Sequence, residues 1–161
     1  MKRTIASSSL LALSIGVLAI LGTARRAPAK SGCSNATLKG SYVLSGTGTF
    51  LSGPLSGPIA FVGILTYDGN GQLNGNLSLR TSSGASAMTV IKAPYTGTYV
   101  VNADCTAEQL WTNTLTGIPS THESVIFDLG KGFYNLNTTT AAPNVISIIA
   151  RKQFGGDDEG N

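Results

Sequence analysis

Between residues 38 and 153 apolar and polar side chains alternate with a period of two, and no stretch has the spacing of an amphipathic helix. The clearest run is Gln72 to Thr81, with Leu73, Gly75, Leu77 and Leu79 on one face and Asn74, Asn76, Ser78 and Arg80 on the other. Residues 58–67 alternate in the same way, and Asp68-Gly69-Asn70-Gly71 lies between the two runs. Asp, Asn and Gly tolerate the positive φ of a tight reversal, so the pattern predicts a hairpin here. Further strands are predicted at 41–50, 87–92, 95–101, 106–115, 122–129, 132–139 and 145–152. Strands at this even spacing predict an all-β fold, an antiparallel barrel or sandwich, and a barrel of eight or nine strands is the expected form. Closure is favoured because it removes the exposed edges that a chain with few charges cannot protect. The tandem Leu-Ser-Gly-Pro at 51–58 is expected to be a loop over one barrel end, since proline donates nothing to a ladder.

The N-terminal segment has a different pattern. Met1-Lys2-Arg3 is cationic, residues 10–21 are apolar, and Ala27-Pro28-Ala29 offers small residues for cleavage. That order predicts a secretory signal peptide over 1–29. A barrel domain over 30–154 and a disordered, acidic, apolar-free tail over 155–161 are expected to follow. The apolar run is too short to cross a hydrocarbon core about 30 Å thick, so no membrane span is expected in the mature form. The leader also changes the charge balance. The full chain has 11 Lys and Arg against 8 Asp and Glu. Loss of Lys2, Arg3, Arg25 and Arg26 leaves 7 against 8, a net charge of −1. The basic excess belongs to the leader, and the remaining cations are scattered, which argues against a nucleic-acid partner. Charged residues are 12% of the chain, about half the usual share of roughly 25%, so the surface is polar mainly through Asn, Ser and Thr.

Cys33 and Cys105 are the two cysteines. In an oxidising compartment an even pair predicts a disulfide, closing a loop of about 70 residues at a gain of about 4 kcal/mol. The rival reading makes Cys33 a lipid-modified terminus, because Ser31-Gly32-Cys33 is similar to part of a bacterial lipobox. Lys30, and the distance back to the apolar run ending at Leu21, weigh against it.

Several motifs occur together: Cys33 followed by Leu38-Lys39-Gly40-Ser41-Tyr42, the turn Tyr67-Asp68-Gly69-Asn70-Gly71, Tyr95-Thr96-Gly97-Thr98-Tyr99, Asp104-Cys105-Thr106, and Ala150-Arg151-Lys152-Gln153. As a set they resemble a group of small secreted bacterial proteins of uncharacterised function, over residues 33–153. The resemblance implies the Cys33–Cys105 disulfide. More distantly, the strand pattern is similar to the allene oxide cyclase barrel-like group of the calycins. That likeness implies an up-and-down barrel with an interior cavity, in a group with some cyclases, and it transfers no catalytic residue to this chain.

Few chemistries have the residues they need. His122 is the single histidine, and no Cys or His neighbours stand at metal-ligand spacing, so neither a metal nor a cofactor is expected. A Ser-His-Asp triad could draw on His122 and Asp128, but no Gly-x-Ser-x-Gly elbow is present, and His122 alternates out of phase with Val125, Phe127 and Leu129, which places it toward solvent. Asp68-Gly69-Asn70-Gly71 has one carboxylate and is a turn rather than a calcium loop. Glu123 shares parity with Val125 and Phe127, and Glu108 with Leu110. If that face of 122–129 points inward, Glu123 is desolvated, its pKa rises, and it is the candidate general acid or base. The candidate pocket is then lined by Tyr95, Tyr99, Trp111, Val125 and Phe127. The expected role is non-enzymatic binding of a small apolar ligand or a surface partner by an exported barrel. The alternatives are a cyclase or isomerase acting on an apolar substrate inside the barrel, and a structural envelope module with a filled barrel.

Overall fold

The computed structural model describes residues 32–53, 55–81, 89–140 and 144–153. They form eight strands: β1 (Gly40–Phe50), β2 (Gly57–Tyr67), β3 (Gln72–Thr81), β4 (Thr89–Val101), β5 (Thr106–Asn113), β6 (Pro119–Phe127), β7 (Gly132–Asn137) and β8 (Asn144–Lys152). Each pairs antiparallel with the next, and β8 returns to β1, closing the barrel. The leader 1–29 and the tail 155–161 lie outside the described residues, as do Pro54 of the proline loop and Ala87 and Met88, where the pattern starts a strand.

The expected hairpin is present. Asp68 Oδ1 accepts the backbone N–H groups of Asn70 and Gln72 at 2.7 and 2.9 Å, and Gly69 and Gly71 take φ of +86° and +112°. Among the described residues the strand count settles at eight because residues 89–92 and the run 95–101 are parts of one strand, β4, which continues through Pro94. The carbonyl of Pro94 accepts from Thr114 N–H at 2.9 Å, just beyond the last β4–β5 pair, Tyr95 with Asn113. The N–H that proline lacks would face the same side, past the end of β5, so no ladder bond is lost.

One end of the barrel is closed by the chain that precedes β1. A 3-10 turn at Asn35–Leu38 buries Leu38 completely. Asn35 Oδ1 accepts Val101 N–H at 2.8 Å, and the Cys33–Cys105 disulfide, with 4.9 Å between Cα atoms, pins this segment to the β4–β5 turn. Inside that end four rings pack together, Tyr67 lying 5.4, 5.7 and 5.0 Å from Tyr42, Phe133 and Tyr99. Burial holds the Tyr42 and Tyr67 phenols above the usual tyrosine range. The opposite end carries, among the described residues, 51–53, 55–56, 114–118 and 138–140. The buried core is mainly apolar, while the outer wall mixes polar residues such as Asn74, Asn76, Glu108, Thr121 and Glu123 with exposed Val43, Val62, Val100 and Val145.

Candidate functional site

Trp111 decides the facing of β5 and β6. It is 2% exposed and carries Gln109 and Ala107, two and four positions back, to the interior with it. The register pairs Trp111 with Ser120, Gln109 with His122 and Ala107 with Ser124, so the interior face of β6 holds His122, Ser124 and Ile126. Glu123 and Val125 therefore project outward, Val125 being 57% exposed, and Glu108 does the same on β5. Phe127 lies on the outer side against Tyr134, 5.1 Å between rings, with the Arg151 guanidinium over it at 5.9 Å. This overturns the expectation that the face bearing Glu123, Val125 and Phe127 lines the interior, and with it the desolvated Glu123. It also corrects His122, which is 4% exposed rather than at the surface. The physical reason is area: an indole and Ile126 gain more from burial than Val125 does. The polar groups that come inward with them can satisfy one another.

Tyr95, Tyr99 and Trp111 do face inward, Tyr95 half-buried and 6.3 Å from Trp111. Around them runs a hydrogen-bonded chain. Tyr67 Oη and Trp111 Nε1 both donate to Gln109 Oε1, at 2.7 and 2.9 Å. Gln109 Nε2 and Asn135 Nδ2 donate to Ser124 Oγ at 2.7 and 3.0 Å. His122 Nδ1 lies 2.9 Å from Asn135 Oδ1, and His122 Nε2 lies 2.9 Å from Ser120 Oγ. The indole of Trp111 stacks on the imidazole with 4.0 Å between centroids. Burial pushes the His122 pKa down to about 4, against the opposing pull of Asn135. The imidazole is therefore neutral at pH 7. The sequence signal for this cluster is Ser120-x-His122-x-Ser124 opposite Gln109-x-Trp111, polar groups at period two on one face.

A second arrangement lies on the outer wall. Cross-strand partners run Val100, Glu108, Glu123, Leu136 and Ser147 across β4 to β8. The two glutamates are directly opposite each other, in a groove of about 600 Å³ that also takes in Asn102, Thr106, Val125 and Tyr134. Like charges placed so repel one another, and no ion pair to either carboxylate occurs among the described residues. Tyr134 and Leu136 beside them are 59% and 49% exposed. No group of three or more His, Cys, Asp or Glu side chains able to hold a metal occurs among the described residues. Within the same residues no helix is long and apolar enough to cross a membrane.

No family model matches the chain, and no curated protein matches it in sequence. Among solved structures it is similar to a redesigned β barrel, at 12% identity and a TM-score of 0.50, over 77% of this chain and 99% of that one. At that identity the likeness concerns the fold alone.

Proposed function

We propose that the chain is an exported binding domain that works through its outer wall, taking a protein segment in which a cationic side chain is flanked by apolar ones. The observation that carries this reading is the directly opposed pair Glu108 and Glu123, set in one groove with exposed Val125, Tyr134 and Leu136. Like charges placed directly opposite on neighbouring strands disfavour the free domain. A bound Lys or Arg removes that repulsion and replaces it with charge-assisted hydrogen bonds. Exposed Val125, Tyr134 and Leu136 supply the apolar part of the contact. Export is supported by the leader-like segment 1–29 and by the disulfide, which persists in oxidising compartments. The outer wall is preferred to the interior because packed rings and the satisfied Gln109–Asn135 chain occupy much of the inside.

Glu108→Gln and Glu123→Gln separate this reading from a merely structural one. Each is expected to leave stability unchanged or raise it by up to about 1 kcal/mol, as like-charge repulsion is relieved. Each is also expected to weaken binding of a capped peptide with a central arginine between leucine and valine. Chemical denaturation and calorimetric titration give the two quantities. Loss of stability without loss of binding would overturn the proposal.

A further inference from the structure

The outer-wall reading leaves the buried imidazole unused, and its surroundings have the form of a nucleophile with its base. Ser120 is half-buried, second in β6, at the end of the barrel opposite the disulfide. The polarity of the hydrogen-bonded chain follows from its donors. Trp111 Nε1 can only donate, so Gln109 presents Oε1 to it and Nε2 to Ser124. Asn135 gives its Nδ2 to Ser124 as well, which leaves Oδ1 facing His122. An imidazole that donates from Nδ1 to Asn135 has a bare Nε2, and the atom 2.9 Å from Nε2 is Ser120 Oγ. Hydroxyl, imidazole and amide oxygen thus follow one another at 2.9 Å, the hydroxyl lying farther, 3.4 Å, from the Trp111 carbonyl oxygen, with the imidazole stacked on Trp111 and neutral, the form a base requires.

We propose that Ser120 is an activated nucleophile with His122 as its general base and Asn135 as a positioning residue, acting on a carboxylic ester presented at this end of the barrel. In the step, Ser120 Oγ bonds to the ester carbonyl carbon and its proton passes to His122 Nε2. The bond from that carbon to the leaving oxygen then breaks, and the alcohol or phenol departs with the proton from Nε2. Water, activated in turn by His122, hydrolyses the acyl-serine and releases the acid. The acyl portion is small, because Trp111 and His122 are almost completely buried behind Ser120.

The test is acetylation by p-nitrophenyl acetate, read as p-nitrophenolate release and as the site of the acetyl group by peptide mass spectrometry. The expected result is acetyl-Ser120, absent in Ser120→Ala, whose near-ultraviolet circular dichroism should match the parent. His122→Gln should slow acetylation by about two to four orders of magnitude, the usual contribution of a general base. Should that variant not fold, the unaltered protein supplies two further readouts. Its rate of Ser120 acetylation should be flat from pH 7.5 to 5 and fall only as the imidazole is protonated, and imidazole ¹⁵N shifts should show the proton on Nδ1. Asn135→Asp should move the acid limb of that profile to higher pH, a change that a purely structural asparagine does not give. Acetyl groups on lysines alone, a Ser120 rate that climbs steadily with pH from 5 to 8, or a proton on Nε2 would each overturn the proposal.

Discussion

His122 couples the core of the barrel to pH. Its folded pKa, about 4, lies below the roughly 6.5 of an unfolded chain, chiefly because burial disfavours the charged ring. Between those values the unfolded chain binds the extra proton, so its contribution to stability is complete above pH 6.5 and is lost as the pH falls toward 4. The expected loss is on the order of 3 kcal/mol over that window. Asp68 and Asp104 act lower on the scale. The backbone N–H of Gln72, then Asn70, holds Asp68 below the ordinary carboxyl range, and the Thr106 hydroxyl and N–H do so for Asp104. Denaturant midpoints at pH 7.5, 6, 5 and 4.5 should therefore decline for the parent and decline less for His122→Leu. Equal slopes would remove His122 as the cause. None of this was legible in the segment containing His122, because the apolar parity of Val125, Phe127 and Leu129 is the more conspicuous one. Leu129 belongs to a turn after β6, at φ +53° and fully outside, so a third of that parity signal comes from beyond the strand.

β5 and β6 illustrate how strand position was readable when strand facing was not. Alternation and the Asp68–Gly71 turn located β2 and β3, because β3 has its leucines on a single side and the register between the two strands follows from the turn. β6 has apolar groups on both faces, and only its pairing with the Trp111-bearing strand determines which goes inward. The split expected at 93–94 failed for a local reason: Pro94 looks like a strand breaker until its missing donor is seen to point past the end of β5. Several glycines inside the strands lie where neighbouring strands crowd together. At Gly97 a Cβ would collide with the Leu110 carbonyl oxygen, a backbone atom that no rotamer change can move. Gly97→Ala should thus destabilise the barrel by about 3 kcal/mol, as overpacking does, while exposed Thr96→Ala on the same strand should change stability by less than about 0.5 kcal/mol. Urea midpoints of the two variants compare them directly, and a tolerated alanine at 97 would mean that β4 and β5 can separate more freely than their ladder allows.

The closed ladder and the disulfide together give the domain a rigid frame on which the outer groove is displayed. Cys33 and Cys105 are 72 residues apart, so reduction frees a long loop and should lower stability by about 4 kcal/mol. Melting with and without reductant measures it, and an unchanged midpoint would show that the turn at Asn35–Leu38 holds its end of the barrel unaided. The barrel and its disulfide were legible from alternation, turns and two cysteines. The groove was not, since it depends on Glu108 and Glu123 meeting across two strands 15 residues apart in sequence, a matter of register rather than composition. The central claim is that this wall, and not the barrel interior, meets the partner. Titration of the ¹⁵N-labelled domain with the arginine-centred peptide, followed by amide and indole shifts, tests it most directly. Shifts centred on Glu108, Glu123, Val125 and Leu136, with the Trp111 indole unmoved, are expected. Shifts centred on Trp111 and Tyr95, or none at saturating peptide, would contradict it.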